Sequence, residues 1–205
     1  MSDRLKAVEQ VEAWVRERLE AANQGAHGWL HADRVRRHIL ILAPAEGVDP
    51  VLAEFAALLH DVGRTEPGAE NEHGARSAAM AEPILAGLPL TDEEQETVLH
   101  AVRWHNSGRA DTPLLCILRD ADMLDGLGAI GIMRAFMSKG HLPPYDPDAP
   151  FEEGGDQWPA AHASDQVLGQ ATWYNWLNTD KARQIAADRT AFMHTFIAQI
   201  RQELA

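Results

Sequence analysis

Along most of the chain apolar residues recur at steps of three and four, the spacing of one buried helical face. Leu5, Val8, Val11, Val15 and Leu19, with charged residues between them, predict a helix over residues 3–22. Gly25 and Gly28 interrupt the pattern, and a second helix is expected from about Leu30, with Val35, Ile39 and Leu42 on one stripe and Pro44 and Gly47 at its end. Asp49-Pro50 reads as an N-cap followed by proline at the first helical position, opening a helix that runs to His60 and stops at Gly63. Its apolar run, Phe55 to Leu59, marks it as buried. The polar stretch Thr65 to Glu72, with Pro67 and Gly68, reads as a loop. Gly74, Ala75, Ala78, Ala79 and Ala81 then predict a closely packed helix from His73 to Leu85, kinked or shortened by Pro83. Thr91-Asp92-Glu93-Glu94 is a capping box for a helix reaching about His105, stopped by Asn106-Ser107-Gly108.

Thr112-Pro113 begins a further helix, apolar through Leu118, that delivers Asp120, Asp122 and Asp125. The run Leu127 to Met133 either continues it or starts a new one. Residues 140–160 hold five prolines and three glycines and are expected to form a long Pro/Gly-rich loop. Two closing helices, roughly 163–177 and 180–204, complete the pattern. No strand and no internal repeat is visible, so the expected architecture is all-α, a single compact helical bundle over residues 1–205.

The bulk numbers narrow the partners. A hydrophobic share of 45% and a charged share of 24% are those of a soluble globular protein, and no stretch approaches the roughly 18 to 20 apolar residues of a membrane span. The charged start, Met1 to Leu5, carries no secretory signal, so a cytoplasmic location is expected. A net charge of −13 argues against a nucleic-acid polymer as partner. A small anionic substrate remains compatible, because exposed charges are screened within about 8 to 10 Å at physiological salt. Cys116 stands alone among Leu114, Leu115, Ile117 and Leu118, which excludes an intrachain disulfide and makes it a core residue. Oligomeric state cannot be read from the chain.

The chemistry gathers around His60-Asp61, at the end of the buried helix. Neutral imidazole and ionised carboxylate are compatible ligands for Mn, Fe, Ni, Co or Zn. A helical fold can bring one ligand from each of several helices to a common point, and the candidate set is His31, His60, Asp61 and Asp122. A second divalent metal could be held by His73 and His105, with Asp61 bridging. His38 reads as a partly buried histidine, and His100 as a candidate for a supporting role around the metal. Glu66, Glu70 and Glu72 are candidates for a general base. Trp104, Trp158, Trp173, Tyr174 and Trp176 could stack on a base, although the last three have the helical spacing of core or interface residues.

In this order, His31, the His60-Asp61 pair and Asp122 resemble the ligand set of the HD-domain metal-dependent phosphohydrolase superfamily. The segment Asp120 to Gly131 (Asp-Ala-Asp-Met-Leu-Asp-Gly-Leu-Gly-Ala-Ile-Gly) resembles the signature of its small bacterial members of the YedJ/YpgQ type. So does the tail from Asn178 through Arg189 and Met193. The resemblance covers about residues 27–203 and places the metal-binding core at about 27–126, with closing helices at about 163–204. Two features depart from the group or extend it. His162 and Gln166 stand where the group commonly has a histidine followed four residues later by lysine. His73-Gly74-Ala75 and His105 to Arg109 look like the extra histidine motifs of two-metal HD proteins.

What the resemblance implies is hydrolysis of a phosphate ester or anhydride in a small substrate, a nucleotide above all, such as a nucleoside triphosphate cut to monophosphate and pyrophosphate. Metal chemistry supplies the rest: a bound divalent ion lowers the pKa of water from 15.7 toward about 7 and polarises the phosphoryl oxygen. Asp61 would then orient that water, and Arg64 would stabilise charge on the phosphoryl group; the alternative for Arg64 is a solvated turn residue. Two other functions compete. One is a di-iron oxygenase on the same scaffold; the other is a non-catalytic sensor of metal or nucleotide.

Overall fold

A computed structural model describes residues 3–22, 25–107, 110–151 and 160–205. Among them every regular element is helical, and none is a strand. The architecture is therefore all-α, as the spacing of apolar positions predicts.

Contacts within the chain gather into two units, Met1–Asp122 and Met123–Ala205. The N-terminal unit contains α1 (Asp3–Ala22), α2 (Trp29–Leu42), α3 (Pro50–Leu59), α4 (His73–Leu85), α5 (Asp92–Trp104) and most of α6 (Pro113–Asp125). At its centre lies α3, whose residues from Ala53 to Leu59 are all buried. Helices α1, α2 and α5 pack around it, and α4 lies along α5. The stripe Val8, Val11, Val15 and Leu19 of α1 is buried, as is Val35, Ile39 and Leu42 of α2. Removing side chains of this size from water contributes about 1.5–3 kcal/mol each.

Capping follows the sequence closely. The Asp49 carboxylate accepts from the Val51 N–H at 2.8 Å, with Pro50 at the first helical position. At the start of α5, Thr91 and Glu94 exchange both hydrogen bonds of the capping box. The one charged residue within the buried run of α3, Glu54, is matched by Arg36 from α2, which also reaches Glu12 of α1 at 3.0 Å. One guanidinium thus ties three helices together, and it offsets the desolvation of a nearly buried carboxylate.

The C-terminal unit contains α7 (Gly128–Ser138), α8 (Ala163–Ala171) and α9 (Asp180–Leu204), with α7 packed on both of the others. The apolar run after Asp125 begins a new helix: Leu127 is extended, with φ −108° and ψ 154°, which breaks the hydrogen-bond ladder before α7. Asp125 is buried and paired with Arg134 of α7 at 2.9 Å, and Arg189 of α9 donates to the Leu124 carbonyl at 2.6 Å. Leu124 and Asp125 are therefore tied to α9 and α7 within this unit, apart from any chemistry. Helix α8 ends at Ala171, six residues before the expected 177. Trp173–Trp176 form a 3-10 turn, with Thr172 bonded back to the Gly169 carbonyl at 2.8 Å. Weak helix formers, aromatic residues and Asn175, account for the tighter turn. The expected loop at 140–160 is irregular from residue 140 to 151, and its residues 152–159, with Trp158, lie outside the described residues, as does Gly108-Arg109.

Candidate metal centre

Five helices of the N-terminal unit bring side chains to one point. His60 caps the C-terminus of α3 and Asp61 follows it. His31 comes from the first turn of α2, His73 opens α4, His105 caps the end of α5, and Asp122 comes from α6. His31, His60, Asp61, His73 and His105 are all buried. The Asp122 side chain keeps 37% of its exposure and so faces an opening.

The two oxygens of Asp61 face two different pairs of imidazoles. Oδ2 lies 3.5 Å from His31 Nε2 and 3.7 Å from His60 Nε2, and these two nitrogens are 3.2 Å apart. Asp122 Oδ1 joins this group at 3.4 Å from His31 Nε2. Oδ1 lies 3.2 Å from His73 Nε2 and 3.6 Å from His105 Nε2, with only 3.0 Å between those nitrogens. All six residues expected as ligands are thus brought together, and Asp61 stands between the two sets.

The protonation of the rings gives these short distances their meaning. His60 Nδ1 is 2.7 Å from the Ala57 carbonyl, His73 Nδ1 is 2.6 Å from that of Glu70, and His105 Nδ1 is 2.7 Å from that of Val102. A carbonyl only accepts, so in each ring Nδ1 carries the hydrogen, and in the neutral ring Nε2 presents a lone pair. In each case the carbonyl belongs to the residue three positions earlier, so the helix end or turn itself orients the ring. His73 and His105 therefore point lone pair at lone pair, with a carboxylate oxygen beside them. Such an arrangement is repulsive alone and favourable around a cation. Two ligands about 2.1 Å from one ion at right angles stand about 3.0 Å apart, which matches the spacing of both nitrogen pairs. The donor set fits divalent metal. Imidazoles on backbone carbonyls are also the usual support for metal-ligating histidine.

Electrostatics favours the same protonation. Burial pushes the His60 pKa down from 6.5 to about 4, so the ring is neutral at neutral pH. For Asp61 burial acts upward, but His60 and the hydrogen-bonding rings of His105, His27 and His31 outweigh it and hold the carboxyl well below its ordinary range. Asp122 is likewise lowered, burial being outweighed by His31 and His60.

Two glycines permit the convergence. A Cβ on Gly63 would lie 2.4 Å from the Ser77 nitrogen and 2.5 Å from the His73 carbonyl oxygen, so only glycine lets the turn after Asp61 rest on α4. A Cβ on Gly74 would lie 2.7 Å from both the Arg103 carbonyl oxygen and Asn106 Oδ1, so this glycine brings His73 against the end of α5. That end is held by Arg119, which donates to the carbonyls of Trp104 and Ser107 on either side of His105.

Arg64 is not a solvated turn residue. Its side chain is 13% exposed; Nε lies 2.9 Å from Asp61 Oδ2, Nη2 donates to His73 Nε2 at 3.2 Å, and Nη1 pairs with Glu70. Burial raises Glu70, but Arg64 outweighs it and holds the carboxyl below its ordinary value, which makes Glu70 a poor base. His100 pairs instead with Asp111 at 2.9 Å, and His38 sits half-buried, with Nδ1 3.3 Å from the Ala121 carbonyl. Asp120 and Asp125 are buried on other faces of α6, leaving Asp122 as the residue of that helix that reaches the site. One residue at the site escapes a reading of the sequence: His27, whose Nδ1 is 3.0 Å from Asp61 Oδ2. Its spacing of four from His31 was the available signal.

The stretch that holds these residues is similar to a known family. A family model for the HD domain matches residues 28–127, which contain all six residues. Residues 28–127 are thus similar to the HD domain. The chain's likeness to one group within that superfamily extends further: the chain is 29% identical to YpgQ of Bacillus subtilis over 98% of its own length and 95% of that protein's. A crystal structure of B. subtilis YpgQ in complex with ADP superposes with a TM-score of 0.74 at 26% identity, covering 98% of this chain and 97% of that one. An HD-superfamily hydrolase from Bacillus thuringiensis superposes with a TM-score of 0.71 at 28% identity, covering 98% and 97%.

Proposed function

We propose that this protein is an HD-domain metal-dependent phosphohydrolase that holds two divalent cations and cleaves a small phosphorylated substrate, a nucleotide in particular. One observation carries the reading: four imidazole nitrogens and two carboxylates face one another at 3.0–3.7 Å, with Asp61 turning one oxygen to each pair of rings. His31, His60, Asp61 and Asp122 would hold the first cation, and His73, His105 and Asp61 the second. Bound cations supply a nucleophilic water at neutral pH and polarise the phosphoryl oxygen.

The chain's own residues do the rest. Asp61, held ionised, fixes the two ligand sets relative to each other. Arg64 stabilises the charge that develops on the phosphoryl group. Its outer nitrogen is engaged by Glu70, a carboxylate with 76% of its side chain exposed, and a substrate phosphoryl oxygen takes that place on binding. The net charge of −13 does not oppose an anionic substrate here, because surface charges are screened within about 8 Å while two cations and Arg64 act at contact.

The nucleotide reading draws support from the ADP complex of YpgQ and from a cavity of about 440 Å³ lined by Trp14, Glu17, Arg18, Thr65 and Glu66. Its volume is that of an ordinary small-molecule pocket. Thr65 and Glu66 follow Arg64 directly in the chain, and Trp14, already stacked on Arg18 at 4.3 Å, offers an aromatic face to a base.

The test is a panel of nucleoside mono-, di- and triphosphates with Mn²⁺, read as released phosphate or pyrophosphate, for the wild type and for Asp61→Ala. Release by the wild type that is lost with the substitution or with a chelator supports the reading; full turnover by Asp61→Ala rejects it. The six-residue set also suits a di-iron oxygenase, and that reading is favoured instead if the purified protein holds two irons and consumes oxygen.

A further inference from the structure

We infer that His27 is a positioning residue for Asp61, and that its Nδ1–H keeps the carboxylate turned so that its two oxygens serve two different cations. The inference rests on the two-cation reading above. His27 ends a short 3-10 segment, Gly25–His27, just before α2, and its Nδ1 lies 3.0 Å from Asp61 Oδ2. His31, one helical turn later, reaches the same oxygen at 3.5 Å, and the two rings meet edge to face with centroids 5.4 Å apart. One short stretch of backbone thus supplies both a candidate ligand and a support for its neighbour.

Hydrogen-bond accounting separates the two oxygens. Oδ1 faces the Nε2 atoms of His73 and His105, at 3.2 and 3.6 Å, in rings whose Nδ1 is turned to a backbone carbonyl. Oδ2 receives the Nδ1–H of His27 and is ion-paired with Arg64, whose Nε lies 2.9 Å away. Arg64 is also engaged by Glu70 and His73, and in the proposed reaction it turns to the substrate. His27 is therefore the donor that stays. A carboxylate freed of it can swing about its χ2 bond, and because Asp61 bridges, such a swing carries an oxygen away from both pairs of imidazoles at once. Loss of His27 weakens both cation sites together. A residue that itself ligated the first cation would, when removed, weaken that site alone.

The experiment is a calorimetric titration of metal-stripped protein with Mn²⁺, using the wild type, His27→Ala and His27→Asn, with melting curves as a check on folding. Asparagine keeps an N–H donor close to the Nδ1 position and is a poor metal ligand. Loss of a hydrogen-bonding support of this kind typically costs about 10–100-fold in metal affinity. His27→Ala is expected to lose that much at both sites, and His27→Asn to return to near the wild-type affinity. Three results overturn the inference: unchanged affinity in His27→Ala, loss confined to one site, or no rescue by asparagine in a folded variant. A wild type that binds no Mn²⁺ refutes the two-cation reading itself, an outcome distinct from all three.

Discussion

The two imidazole pairs on either side of Asp61 are built alike and furnished differently. His31 and His60 share Oδ2 with Asp122, a second carboxylate open to solvent, while His73 and His105 share Oδ1 with no further carboxylate among the described residues. A cation on the first side therefore meets two negative charges, one of them at an opening where substrate can enter. On the second side it meets one, and the Arg64 guanidinium already donates to His73. Like charge at 3.2 Å from a ligand atom opposes a second cation. The first site is expected to be the tighter because it has the second carboxylate; Arg64 touches both sides, through Asp61 Oδ2 and through His73 Nε2.

The largest expected effect comes from breaking one side at a time. His31→Ala removes the first cation and takes hydrolysis to background, whereas His105→Ala releases the second and leaves the first in place. Metal content after gel filtration checks this, and equal losses in the two variants would erase the distinction.

Acid tests both sides together. Burial holds His60 near 4 against 6.5 in the unfolded chain, so as pH falls the unfolded state takes up the proton first. The metal-free protein should be fully stable above pH 6.5 and lose roughly 3 kcal/mol by pH 4. The lowered Asp61 and Asp122 extend the loss below the carboxylate range. Melting temperatures between pH 7 and 4 measure it, and His60→Asn should flatten the upper part of the slope.

The smallest effect sharpens the second side alone. Gly74→Ala places a methyl group 2.7 Å from the Arg103 carbonyl oxygen and pushes α4 from the end of α5. A cost of about 1–3 kcal/mol in chemical denaturation is expected, with selective weakening of the second cation. An unchanged second site would show that His73 and His105 tolerate looser packing.

Much of this was legible in the sequence, and the reasons are local. Thr91 and Glu94 announce their helix start because the capping box spans four residues, and the stripe of α1 announces itself because 3.6-residue periodicity is a property of one segment. The six candidate ligands could be named in order, and the structure brings their side chains to one point. What stayed hidden depends on partners distant in the chain. His27 meets a carboxylate 34 residues later, and only its spacing of four from His31 hints at it. His100 looks like a supporting histidine beside His105 and is taken instead by Asp111, across a turn. Arg64 could be read equally as a turn residue until Asp61, Glu70 and His73 are seen around it. The shared support of three rings by carbonyls three residues earlier follows from helix-end geometry, which residue identity alone does not reveal.

The most direct measurement is elemental analysis of protein loaded with Mn²⁺ and desalted, comparing the wild type with Asp61→Ala. Two ions per chain in the wild type and none in the variant is the predicted result. A wild type that retains no metal, or an Asp61→Ala protein that keeps both ions, would contradict a centre built on one carboxylate shared between two pairs of imidazoles.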